Sequence, residues 1–224
     1  LQDGSVDNPA VIKESVHHFY KEVSGSPLQR PGWFYDVTQE GEGIVDVTTH
    51  LVDLIQWSCF PDQILNYEKD IKLWDAKRWA TLITPAQFQS STKLTQVPEY
   101  LKNTLNAEGQ LAVFSNGQID YQIRGHFARV KVTWAWQAEP GAGDTHYSVM
   151  RGTNASLVIR QGAEQGYQPV FSVETNRFKE VAYRNTFERV FREVAKSFPG
   201  ISYILIGNTA VFICSTCSSN NLVP

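Results

Sequence analysis

The hydrophobic positions change period several times along this chain. Residues 15–23, SVHHFYKEV, are rich in aromatic and β-branched residues and predict a strand. The Ser-, Gly- and Pro-rich stretch SGSPLQRPGW that follows predicts a loop. From Ile44 to Cys59 the spacing becomes helical: Val45, Thr49, Val52 and Ile55–Gln56 follow its turns, and Pro61 stops it. Short helices are predicted at TPAQF and VPEYLKNTL, where proline takes the first helical position. The middle alternates instead. LAVFSNGQIDYQI places Asn116-Gly117 between two alternating runs, which predicts a hairpin there. In RVKVTWAWQA, Val130, Val132, Trp134 and Trp136 face one way, and Lys131, Thr133, Ala135 and Gln137 the other. The turns EPGAGD and GTN then set off THYSVMR and ASLVIRQ as further strands of an antiparallel meander.

Near the end the period returns to that of a helix, with Phe187, Val190, Phe191, Val194 and Phe198 in one stripe, Glu188 and Arg192 on its flank, and Pro199-Gly200 ending it. SYILIGNTAVFIC predicts two last strands around Gly207-Asn208. These elements make an α+β fold: an open, mainly antiparallel sheet with helices on one face. A sheet face carrying Trp and Val with no helix to cover it predicts a partner, either another domain or another subunit.

Composition limits what such a fold can serve. The 224 residues, 42% hydrophobic and 19% charged, fit one large domain over residues 1–224. A net charge of -3 without a basic run argues against nucleic acid. No stretch approaches the roughly 18 consecutive apolar residues of a membrane span. The chain starts at Leu1 without an initiator Met or a leader pattern, so the expectation is that its true beginning lies upstream. The compartment, cytoplasmic or periplasmic, is left open. Three cysteines make no disulfide framework: Cys59 reads as a small core residue, and Cys214-x-x-Cys217 lacks the second pair that zinc needs, so no metal is assigned.

Asp46 and His50 stand four residues apart on the predicted helix, with Asp53 one turn further on. That spacing puts the carboxylate and the imidazole on one face, as in a general base with an orienting acid. From spacing alone the simpler reading is a first-turn acid beside a partly buried histidine. Two ligands are too few for a metal. Gly41 and Gly43 in GEGIVD lack the third glycine and the preceding strand of a dinucleotide cradle, and GAGD at 141–144 has the same defect. His17 and His18, adjacent in a strand, should point to opposite faces. Trp134 and Trp136 read as packing residues, and no G-x-S-x-G supports nucleophilic hydrolysis.

The stretch EGEGIVDVTTHLVDLIQW resembles the signature of the glucose–fructose oxidoreductase / inositol dehydrogenase (Gfo/Idh/MocA) family, roughly G-G-G-x-x-x-D-x-G-x-H-x-x-D. Gly41, Gly43, Asp46, His50, Asp53 and Trp57 carry the likeness, RPGWF resembles the family's approach to the motif, and RGTNASLVI its Gly-Thr-x-Gly-x-Leu entry to a strand. More narrowly, the chain resembles the C-terminal domain of bacterial oxidoreductases of this family. The resemblance implies oxidation or reduction of a hydroxyl carbon of a sugar, cyclitol or related compound. NAD or NADP would be bound mainly by an N-terminal Rossmann domain that this chain does not contain. It implies His50 as the proton-transfer residue with Asp46 before it, a lysine supplied by the other domain, and oligomer contact through the sheet face. Arg30, Trp33, His17, His18 and Asp53 are the expected substrate contacts.

The chain departs from the family pattern in places. Glu42 replaces a glycine of the triplet and Thr48 the glycine between Asp and His. Glu68-Lys69 in YEKDIKLW lies on the wrong side of the motif to supply the family lysine, and reads as a solvated strand edge. The family's closing helix has no counterpart in the last residues, so the end is also expected to be truncated. Two other functions stay open: a non-enzymatic binding or oligomerisation module, and an NAD-dependent glycoside hydrolase on the same scaffold.

Overall fold

A computed structural model describes residues 1–23 and 25–214. The chain forms β1 (Val11–Tyr20), the short pair β2 (Glu22–Val23) and β3 (Ser26–Pro27), helix α1 (Val47–Cys59) and one turn α2 (Tyr67–Asp70). Then come β4 (Ile71–Ile83), α3 (Pro85–Thr92), β5 (Leu111–Ile123), β6 (His126–Gln137), β7 (Thr145–Arg151), β8 (Ser156–Gln161) and β9 (Val170–Glu174). Helix α4 (Val181–Ser197), β10 (Ile201–Ile206) and β11 (Thr209–Cys214) complete it. One nine-stranded sheet runs in the order β10-β11-β9-β8-β7-β1-β6-β5-β4. The α+β class is as expected.

The meander is interrupted. β1 lies between β6 and β7, parallel to β6 and antiparallel to β7. Residues 138–144 are long enough to step across one intervening strand, about 10 Å at 4.8 Å per strand. The Asn116-Gly117 hairpin does not form, and β5 runs straight through it. Asn116 is 1% exposed, donates to the Trp79 carbonyl and Thr81 Oγ1, and accepts from the Trp134 amide, replacing backbone bonds where the β4 register shifts. The turn is Arg124-Gly125, both at positive φ, as a two-residue hairpin loop requires. Chain direction reverses where positive φ is tolerated and where no side chain is needed in the core.

Helix α1 lays Leu51 and Ile55 on Val11, Tyr121, Ile123, Ala128 and Val130. Phe88 of α3 joins Phe19, Tyr35, Ile83, Leu101, Leu111 and Val113, with Trp134 and Trp136 packed against them. Phe187 of α4 packs on Val173, Phe178 and Ala210. The expectation of an uncovered Trp and Val face is therefore corrected. Val130, Val132, Trp134 and Trp136 belong to the helix-bearing side, and Arg129, Lys131 and Thr133 alternate onto the other. Tyr67–Asp70 is helical rather than extended, while β4 after it is the exposed edge strand. Cys217 and the closing segment lie outside the described residues.

Candidate active site

The loop before α1 is shaped by close packing. Gly43 donates its amide to the Phe114 carbonyl, and a Cβ there would stand 1.7 Å from the Ser115 carbonyl oxygen. Gly41 adopts a φ of +100°, which a side chain would resist. Thr48 is buried and donates its hydroxyl to the Gly43 carbonyl at 2.9 Å. Glu42 pairs with Arg78 of β4, which turns its bulk toward the sheet edge. The helix begins at Asp46, whose carboxylate makes no capping bond.

Asp46 lines a small pocket with Phe19, Phe34, Val37, Glu40, Val113, Ser115 and Trp134. Burial pushes the Glu40 carboxyl up, the nearby Asp46 charge adds to this, and Arg30 opposes it. His50 and Asp53 are exposed, and Trp57 is 73% exposed. At 100° per residue, His50, Asp53 and Trp57 share the outward stripe of α1, opposite Leu51 and Ile55, whereas Asp46 precedes the helix and is half-buried. Asp46 and His50 share no hydrogen bond or ion pair.

A second polar group was not legible as a unit in the sequence. On the helix-bearing side β1 reads Val11, Lys13, Ser15, His17, Phe19; its ends lie in two apolar clusters and the three residues between are polar. Lys13, 8% exposed, donates to Ser148 Oγ at 2.9 Å. His17 lies 3.0 Å from Ser15 Oγ through Nε2 and 3.5 Å from Asp144 through Nδ1, and stacks on Trp134 at 5.0 Å. His18 Nδ1 meets the other Asp144 oxygen at 2.9 Å, and Lys21 donates to Asp144 at 2.6 Å. Burial would raise the Asp144 pKa, but the bonds from His17, Lys21 and His18 hold it well below the usual carboxylate range. Both histidines reach one acid because Asp144 lies just past the end of the β1–β7 ladder. Asp144 stood in GAGD, read as a turn; the only hint was that two adjacent strand histidines need polar partners.

Arg30 joins this group: it donates to the carbonyls of His18 and Phe19 and lies over Phe34 at 4.2 Å. Trp33 is half-exposed on the turn Gly32–Tyr35. Arg30, His17 and His18 therefore come together, whereas His50, Asp53 and Trp33 are turned to the surface. No cluster of metal-ligating side chains occurs among the described residues, and none of their helices is long and apolar enough to cross a membrane.

Comparisons with known proteins place the chain among structures described as putative oxidoreductases. The crystal structure of a putative oxidoreductase from Parabacteroides merdae is 46% identical, with a TM-score of 0.90 over 95% of this chain and 48% of that one. A putative oxidoreductase from Erwinia carotovora atroseptica is 15% identical over 81% of this chain and 47% of its own, with a TM-score of 0.45. The chain thus spans about half the length of the structures it matches. No curated protein matches it. The family model described as "Putative oxidoreductase C terminal domain" covers residues 1–214, and the chain belongs to that family.

Proposed function

We propose that this chain is the substrate-side half of a nicotinamide-dependent oxidoreductase of the Gfo/Idh/MocA kind, acting on a hydroxyl carbon of a sugar, cyclitol or related compound. The observation that carries this reading is the pairing of an oxidoreductase C-terminal match with a polar strip on the helix-bearing face, beside the motif helix. Glycosyl and polyol ligands need donors and acceptors set against an aromatic surface, and Ser15, His17, Ser148 and Trp134 supply both.

The residues of the glycine loop do not fit a cofactor cradle. The Gly43 amide is already bonded to β5, and Gly43 packs on Ser115 too closely to admit a phosphate. NAD or NADP would be held by the other half of the protein, where it supplies hydride transfer. This chain's part is the proton. His50, unpartnered and exposed on α1, takes the substrate hydroxyl proton, with Asp46 at the N-cap of the same helix.

The test uses the full-length protein with NAD and NADP and a panel of sugars and cyclitols. His50→Gln is expected to lower kcat by about 100-fold or more while leaving nucleotide affinity unchanged. The 224-residue chain alone is expected to show no turnover. Unchanged kcat in His50→Gln, or turnover by the isolated chain, would overturn the reading.

A further inference from the structure

The polar strip on β1 and β7 carries an unbalanced set of charges. Lys13 is nearly buried, yet its one hydrogen-bond acceptor is the neutral Ser148 hydroxyl. An ammonium carries three donors, and burying it without a counter-ion is unfavourable. The Cys59 thiol beside it cannot serve, because burial pushes that thiol up and keeps it protonated. His146 stands opposite Ser15 in the β1–β7 register, one diagonal step from both Lys13 and His17, and its ring makes no hydrogen bond. Diagonal neighbours on a sheet face lie about 7–8 Å apart at Cα, so Lys13 and His146 can converge on one small group.

The nearby acids are committed elsewhere. Asp144 already takes His17, His18 and Lys21. Glu40 and Asp46 sit together at the Phe19 end, and Glu14 alternates to the other side of β1. Lys13 and His146, both able to carry positive charge, thus face the strip with no acid of their own, whereas His17 is already held by Ser15 and Asp144.

We propose that Lys13 and His146 bind the carboxylate of an acidic sugar of the uronate or aldonate type, which rests on the reading of this strip as the substrate surface. The carboxylate is the missing counter-ion of Lys13, and hydrogen bonds to charged donors are the strong ones. Ser15 of β1, Ser148 of β7 and Gln161 of β8 lie beside Lys13 and His146 to meet ligand hydroxyls. A phosphate is the poorer fit. Phosphate sites use free backbone amides, and here those amides are spent in the ladder between strands.

Binding has a predictable pH sense. Burial lowers the His146 pKa first, and the charges of Lys13 and His17 lower it further. An anion beside it favours the protonated ring, so binding above that pKa takes up a proton. The other groups facing this cluster are Cys59 from α1, Gln161 from β8 and Asp144 before β7.

Calorimetric titration of the full-length protein tests the site with glucuronate and galacturonate against glucose and galactose, and with glucose 6-phosphate. The uronates are expected to bind at least tenfold tighter than the matched hexoses, with proton uptake read from two buffers of different ionisation enthalpy. Lys13→Met and His146→Gln are each expected to bring the uronate-to-hexose ratio within about twofold, while Lys13→Arg retains the preference. Should Lys13→Met fail to fold, His146→Gln carries the test alone, since that ring has no bond to lose. No binding by any uronate, equal affinity for uronate and hexose, a preference untouched by both variants, or tighter binding of the phosphate would each overturn the proposal. Binding is read without turnover. A uronate preference without nicotinamide-linked turnover therefore sinks the oxidoreductase reading alone, and turnover without a preference sinks this site alone.

Discussion

Asp144 shows how much one carboxylate can hold. It gathers His17, His18 and Lys21 at the end of the β1–β7 ladder, and its carbonyl accepts from the Gln161 side chain. Because its folded pKa is depressed, its contribution to stability is present above the ordinary carboxylate pKa and is lost as pH falls through the depressed value. Asp144→Asn is expected to cost roughly 2–3 kcal/mol at pH 7 in urea unfolding, with the deficit shrinking only in acid. Glu40 has the opposite sign. Its raised pKa means the folded chain holds the proton more tightly than the unfolded chain, so ionisation costs stability as pH rises. Glu40→Gln should shift the urea midpoint upward at pH 7 and leave it unmoved at pH 4. A gain at both pH values would show that something other than charge is responsible.

The entry to α1 depends on glycine for contact as well as for conformation. Gly43 must lie flat on β5, because any side chain would run into the Ser115 carbonyl. Gly43→Ala is expected to cost about 3 kcal/mol and to displace the first turn carrying Asp46. Thermal melts and a crystal structure of the variant would check both, and an unshifted Tm would show that the loop is free to move. Gly117 plays the matching part from the strand side, where a Cβ would come within 2.8 Å of Ile44 Cβ. This explains why Asn116-Gly117 misleads as a turn signal. The pair looks like a hairpin because Asn and Gly tolerate positive φ, but here glycine admits the loop and Asn116 bonds three neighbours across the sheet. The capped helix α3 was legible, since Thr84 and Gln87 form a capping box around Pro85 at the first helical position, with only local partners.

The nine-stranded sheet carries α1, α3 and α4 on one side, and α1 turns Trp57, His50 and Asp53 away from it. If the second domain of the proposed oxidoreductase covers α1, acrylamide should quench Trp57 less in the full-length protein than in the isolated chain, with Trp57→Phe as the control. Equal quenching would show that α1 stays uncovered in the longer protein. Strand and helix periods, the Pro199-Gly200 stop and the Asp46–His50 spacing could be read directly, because each depends on residues within a few turns of one another. The α+β class followed from the order of those periods. The insertion of β1 beside β6, the true face of Trp134 and the gathering of His17, His18, Lys21 and Arg30 around Asp144 could not. Each joins residues far apart in the chain, and pairing between distant strands is set by burial and register across the sheet rather than by neighbouring residues. The chain order alone thus names the motif helix, while the charge-rich strip beside it exists only once β1 and β7 lie side by side.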